Sequence, residues 1–270
     1  MQPDDPACDE VAARLGEIAR EAGRLLRRVQ AEQGERRIKP DGTASCAADL
    51  AAEELILSRL SASWPGVPVV AEESSNAVEG GDAFFLVDPL DGTSDYLDGM
   101  GEYSVNIALV VGRRPVAAAV IAPRLGRLWV AGTAARVVDV GEGDSDWREA
   151  RARTAPPGGL VALVSRRHAD PATEACLATL SIGTRLTASS ALKFCLIASG
   201  EADIYVRCGP TMEWDTAAGD HILTRAGGCV IRSGGGPMVY GGRGRDYRNG
   251  PFAALGDPRL ALRMSLPLER

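Results

Sequence analysis

Only two histidines, His168 and His221, occur in the 270 residues, and none of the six cysteines stands in a CxxC pair. A zinc site therefore lacks ligands, and a chain of this length without regular cysteine spacing reads as no disulfide scaffold. Cys195 and Cys229 lie in apolar runs, as small buried hydrophobes do. No apolar run is long enough to span a membrane. Met1 to Glu10 is acidic and polar where a secretory signal would be basic and then apolar, so a cytoplasmic protein is expected. Surplus positive charge is missing as well: the net charge is −6, which argues against a nucleic-acid surface. The arginines at 24, 27, 28, 36 and 37 suit a solvated helix face. A small polyanionic substrate stays compatible if metals and a few local cations neutralise it.

What the chain does have is ordinary core material, 45% hydrophobic and 24% charged, enough for one large domain or two closely packed ones. Val11, Leu15, Ile18, Ala22, Leu25, Leu26 and Val29 recur at helical spacing and predict an amphipathic helix over residues 9–33. Gly34 to Ala44 reads as a loop or short hairpin. A second helix is predicted from Ala47 to Ala62, with Leu50, Leu55, Ile56 and Leu60 inward, ending before Trp64-Pro65-Gly66. Val67 to Ala71 is a short strand, followed by Glu72-Glu73. Val105 to Val111 and Val116 to Ile121 read as a hairpin, with a third strand over Leu125 to Val130.

Thr154 to Gly159 is the clearest linker. It divides an α+β segment, residues 1–155, from an α/β segment, residues 156–270. In the latter, strands are predicted at Leu160 to Val164, Ala202 to Val206 and Cys229 to Ile231. Helices are predicted at Pro171 to Leu180, Ser190 to Ser199 and Trp214 to Ala226. Ser233 to Asn249 reads as an exposed Gly- and Arg-rich loop.

The chemistry concentrates in Asp88-Pro89-Leu90-Asp91-Gly92-Thr93. Phe84 to Val87 before it is a buried-strand run, and Pro and Gly then impose a turn. Two carboxylates are pinned at a strand end with the Leu90 carbonyl between them, hard oxygen donors of the kind Mg²⁺ takes. The N–H groups of Gly92 and Thr93, at the start of a helix or turn, would hold an anion. Asp215, in Glu213-Trp214-Asp215-Thr216, falls near a helix N-terminus, where the dipole favours a carboxylate and a bound phosphate together.

Glu72-Glu73, DPLDGT and Glu213 to Gly219, in this order, resemble the inositol monophosphatase superfamily from the first helix to about Asp257. Ser165 to Asp170, Ser190 to Cys195, Tyr205 to Arg207 and Trp214 to Gly219 are most similar to its CysQ-type 3′(2′),5′-bisphosphate nucleotidases. The resemblance implies an alternating αβαβα layered sandwich of the sugar-phosphatase type, and a Li⁺-inhibited enzyme using two to three Mg²⁺ ions. Its substrate would be adenosine 3′,5′-bisphosphate or the sulfated analogue, and the enzyme a monomer or homodimer. By the same resemblance Glu72, Asp88, Asp91, Asp215 and the Leu90 carbonyl ligate metal. Asp49 and Thr93, with Glu72, activate the attacking water. Gly92, Thr93, His168, Ser190, Lys193, Arg207 and Asp215 hold the substrate. Lys193 is the discriminating position, since inositol phosphatases tend to be neutral there. A phosphatase of inositol or sugar phosphates is the nearest alternative. A nucleotide-binding relative without activity would be expected to lack a metal ligand, and none is missing.

Overall fold

The computed structural model describes residues 1–2, 4–31, 36–38, 44–77, 81–141, 146–166, 170–241 and 246–268. Helix α1 (Ala7–Ala31) precedes a short antiparallel pair, β1 (Arg36–Ile38) and β2 (Ala44–Cys46), and then helix α2 (Ala47–Ser63). β3 (Val69–Ala71), a 3₁₀ turn (Glu72–Ala77), β4 (Ala83–Asp91) and the short helix α3 (Thr93–Leu97) follow. A meander comes next: β5 (Ser104–Val111), β6 (Arg114–Ala122), β7 (Arg127–Ala131), β8 (Ala135–Asp139) and β9 (Arg148–Glu149). The second half holds β10 (Leu160–Val164), α4 (Pro171–Ala178), β11 (Ile182–Thr187), α5 (Leu192–Ala198) and β12 (Ile204–Arg207). It continues through β13 (Thr211–Met212), α6 (Glu213–Arg225), β14 (Cys229–Arg232), β15 (Arg248–Asn249) and β16 (Phe252–Leu255) to a final 3₁₀ turn (Pro258–Arg263).

Two sheets organise the chain. A seven-stranded sheet runs β3-β4-β5-β6-β7-β8-β9, with only β3 and β4 parallel. A five-stranded sheet runs β11-β10-β12-β16-β14, with β10 parallel to β11 and β12. Alternation along each strand sends side chains to opposite faces. Phe85, Val87, Ile107 and Ala119 pack with α1 and α2 on one face of the larger sheet. Phe84, Leu86, Ala108 and Val120 pack on the other with α5 and α6, which Tyr205 and Phe252 of the smaller sheet also meet. Ile204, Val206 and Ala253 turn to α4 and the last 3₁₀ turn. The layers thus run α, β, α, β, α.

Gly16 and Gly23 sit inside α1, where glycine costs about 1 kcal/mol relative to alanine. A Cβ on Gly16 would lie 2.8 Å from Val130 Cγ1, and one on Gly23 3.2 Å from Ile121 Cδ1. The helix comes this close to the sheet only because those side chains are missing.

Several expectations need correcting. Leu50 is not inward but 50% exposed. The buried stripe of α2 is Ala48, Asp49, Ala52, Glu53, Ile56 and Leu60, so two carboxylates occupy the face that hydrophobicity alone would have given to leucine. β11 was not foreseen, because Gly183 to Thr187 is exposed and carries no apolar alternation. The stretch after Ser233 is not simply an exposed loop: Met238 and Tyr240 are buried in the core beside α6. Cys195 is fully buried as expected, Cys229 only partly so, and all six cysteines are free thiols.

Candidate active site

β4 carries both central carboxylates. Three residues apart on a regular strand, Asp88 and Asp91 would face opposite ways. An irregularity in the pairing with β5, between Asp88 and Asp91, breaks the alternation. The Leu90 N–H donates to Asp88 Oδ1 at 3.0 Å, closing the turn. Gly92 then adopts φ +94°, and a Cβ there would lie 2.5 Å from Ser190 Oγ and 3.0 Å from the Glu102 carbonyl. Only glycine meets both demands. Directly after it α3 begins.

Thr93, the first residue of α3, places Oγ1 3.0 Å from Asp49 Oδ1 and 3.1 Å from the Leu90 carbonyl. Asp49 is buried, and its Oδ2 accepts the Cys46 N–H at 2.6 Å. Cys46 thus sits at the N-cap of α2, with Asp49 reaching back to it. Asp215 repeats this device in α6, where its Oδ2 accepts the Met212 N–H at 2.8 Å. Asp91 is the most heavily held. Its Oδ2 accepts from the Ala191 N–H at 2.7 Å and from Asn106 Nδ2 at 3.2 Å, and its carbonyl accepts from the Ser190 hydroxyl at 2.8 Å.

Charge accumulates here without an equal number of cations. Burial pushes the Asp88 carboxyl well above the usual range, and repulsion from Glu72, Asp91 and Asp215 adds to it. Asp215 is raised well above the usual range by burial and then by Asp91. Asp91 is raised by burial, against the opposing pull of Lys193. Asp88, Asp91 and Asp215 each commit one carboxylate oxygen to a backbone N–H donor. Hard, buried, mutually repelling oxygens are a donor set that suits Mg²⁺. Among the described residues no three His, Cys, Asp or Glu side chains converge closely enough to enclose an ion.

Of the expected substrate residues, Arg207 is partly buried at the end of β12. Its guanidinium is held by the carbonyls of Gly209 (3.4 Å) and Pro210 (3.1 Å) and by Ser165 Oγ (3.4 Å), close enough to Asp215 to moderate that carboxyl's shift. Lys193 is buried near the start of α5, its ammonium turned to two backbone carbonyls; burial pushes it down to about 8, with Asp91 pulling the other way. His168 lies outside the described residues.

Three residues join the site that sequence reasoning missed. Glu53, buried one turn beyond Asp49, accepts the Glu73 N–H at 2.9 Å and so fixes the acidic turn after β3. Its signal was an acid four residues from Asp49, on the same helix face. Asn106 stands opposite Asp88 in the ladder, and Ser104 opposite Asp91. Ser104 Oγ donates to Asn106 Oδ1 at 3.0 Å, which orients the amide toward Asp91. A polar residue amid the apolar run of β5 was the clue.

Comparison with known proteins is consistent across sequence and structure. The model of the inositol monophosphatase family matches residues 3–260. The 3′(2′),5′-bisphosphate nucleotidase CysQ of Salmonella typhimurium is 37% identical over 226 residues, 79% of this chain and 87% of that protein. The crystal structure of CysQ from Bacteroides thetaiotaomicron superposes with a TM-score of 0.77 at 31% identity, covering 91% of this chain and 97% of that one. The IMPase of Thermotoga maritima superposes with a TM-score of 0.75 at 19% identity, covering 92% of this chain and 94% of that one, a likeness of fold.

Proposed function

The chain belongs to the inositol monophosphatase family, and on that premise we propose that it is a Mg²⁺-dependent 3′(2′),5′-bisphosphate nucleotidase. It removes the 3′-phosphate of adenosine 3′,5′-bisphosphate. The observation that carries this reading is the Thr93–Asp49 hydrogen bond standing beside three aspartates whose carboxyls burial drives upward.

Glu72, Asp88, the Leu90 carbonyl, Asp91 and Asp215 would hold two to three Mg²⁺ ions. Bound there, Mg²⁺ supplies Lewis acidity that lowers the pKa of a water and offsets charge on the phosphoryl oxygens. The chain's own part is positioning and proton handling. With its proton committed to Asp49 or the Leu90 carbonyl, Thr93 Oγ1 keeps a lone pair to accept from the attacking water. That bond aims the oxygen in line with the phosphorus, and Asp49 with Glu72 takes up the proton as the O–P bond forms. The 3′-oxygen leaves and takes up that proton, so one water and one ester give one phosphate and one alcohol. Thr93 and Gly92 at the start of α3 cradle the departing phosphoryl group. Ser190 and Arg207, together with His168, hold the nucleoside and its 5′-phosphate; Arg is suited to a forked phosphate contact.

We place the enzyme in the cytoplasm as a monomer or homodimer. Residues 1–155 carry most metal ligands, and 156–270 the last ligand and the nucleotide contacts. No described helix is long and apolar enough to cross a membrane. The test is phosphate release with Mg²⁺ from adenosine 3′,5′-bisphosphate and inositol 1-phosphate side by side, each with and without Li⁺. Li⁺-sensitive turnover of the nucleotide alone is expected; preference for inositol phosphate would overturn the substrate assignment.

A further inference from the structure

Lys193 is the position that seemed made for a second phosphate, yet its ammonium is occupied within the chain. It is 3% exposed, donates to the carbonyls of Ala188 (3.1 Å) and Ser190 (3.0 Å), and stands 4.8 Å from the centre of the Tyr205 ring. Two of its three N–H donors are used by backbone, and the ring supplies a cation–π neighbour.

Both carbonyls belong to the turn that grips Asp91. Ser190 donates its hydroxyl to the Asp91 carbonyl at 2.8 Å, and the Ala191 N–H reaches Asp91 Oδ2 at 2.7 Å. Ser190 has φ +62°, a left-handed conformation that a residue with a side chain seldom adopts. Such a conformation persists only where its surroundings over-determine it. The ammonium bonded to the carbonyl of that same residue, and to the one two positions earlier, is one of the groups that do so, beside the two bonds to Asp91. Remove it, and two carbonyls in a dry environment lose their charged donor.

We propose that Lys193 is a positioning residue for Asp91. Its ammonium locks the turn 188–191, and the turn aims the Asp91 carboxylate at the metal. The inference rests on the reading of Asp91 as a metal ligand, and it gives Lys193 a supporting role at the metal centre beyond substrate recognition. Partners of this kind alter metal affinity even though they never touch the ion.

The experiment compares wild type with Lys193→Met and Lys193→Gln. Mn²⁺ binding without nucleotide is followed by calorimetry, and turnover is measured on adenosine 3′,5′-bisphosphate and adenosine 3′-monophosphate. Lys193→Met should raise the Mn²⁺ Kd roughly 10- to 100-fold. Its kcat/KM should fall by the same factor on both substrates and recover in part at high metal. Lys193→Gln, which keeps N–H donors for the carbonyls, should fall between. Unchanged Mn²⁺ affinity with a loss confined to the bisphosphate would overturn the proposal and make Lys193 a phosphate contact. If Lys193→Met does not fold, Lys193→Gln and Ser190→Ala decide, since both should weaken Mn²⁺ binding. A wild type that binds Mn²⁺ and loses it in the variants, but hydrolyses neither substrate, would refute the nucleotidase and leave this inference standing.

Discussion

Thr93 Oγ1 lies 3.0 Å from Asp49 Oδ1, a bond that ties the first residue of α3 to the first turn of α2. Thr93→Val keeps the shape and removes the hydroxyl. Loss of a positioned proton-transfer pair typically costs about 10²- to 10⁴-fold in rate, so kcat should fall by that order while the melting temperature hardly moves. A Thr93→Val enzyme with more than a tenth of wild-type kcat would take Thr93 out of the reaction.

Asp88 is charged at a cost to stability. The folded chain holds protons at Asp88, Asp91 and Asp215 more tightly than the unfolded chain does, because burial raises all three carboxyls. Stability contributed this way is present at low pH and lost as pH rises through the raised values. In EDTA the melting temperature should therefore drop as pH rises above the ordinary carboxylate range, and saturating Mg²⁺ should restore it. Asp88→Asn should abolish Mg²⁺-dependent turnover yet stabilise the metal-free protein by about 1 kcal/mol. A metal-free variant melting below wild type at pH 8 would contradict the account.

Asp220 and His221, neighbours on α6, pull stability in opposite directions. Burial raises the Asp220 carboxyl to about 6, so its contribution is present below the ordinary value of 3.8 and lost on the way up to 6. Burial lowers His221 to about 4, so its contribution is present above 6.5 and lost as pH falls toward 4. Asp220→Asn removes one side of this balance. Relative to wild type it should lose stability on acidification from pH 6 to pH 4, by on the order of 2 kcal/mol at about 1.4 kcal/mol per unit. Denaturant titrations at the two pH values measure it, and a pH-independent difference would refute it.

Gly219 lets α6 lie against α5. A Cβ there would sit 2.6 Å from Phe194 Cγ, so Gly219→Ala must push the helices apart. Overpacking of this kind costs about 1–3 kcal/mol. Asp215 stands one turn earlier on α6, so Mg²⁺ affinity should weaken along with the melting temperature. A destabilised variant with unaltered metal binding would show that the two helices set stability only.

Arg207→Ala should raise KM for the bisphosphate roughly tenfold or more, the scale of losing one charged hydrogen-bond partner. Mn²⁺ affinity measured without nucleotide should change far less than the roughly 10- to 100-fold expected for Lys193→Met. Equal loss of metal binding in both variants would place Arg207 in the metal centre instead.

By itself the sequence determined the amphipathic first helix, the strand-and-turn of Phe84 to Thr93 and the N-terminal place of Asp215 on its helix, because each is written in local periodicity and turn chemistry. It also carried the family, through three acidic motifs in order. Only the tertiary structure decided which way side chains point. Leu50 yielded the inner face of α2 to Asp49 and Glu53, since those carboxylates have partners there, the Cys46 and Glu73 N–H groups and the Thr93 hydroxyl, that a leucine could not use. Asn106 became a partner of Asp91 through strand register, a relation between residues 15 apart that no local pattern records. Lys193, from sequence a cation waiting for phosphate, turned inward because a left-handed serine three residues earlier offers it a carbonyl. Charge and spacing name the groups; long-range packing decides which of them meet.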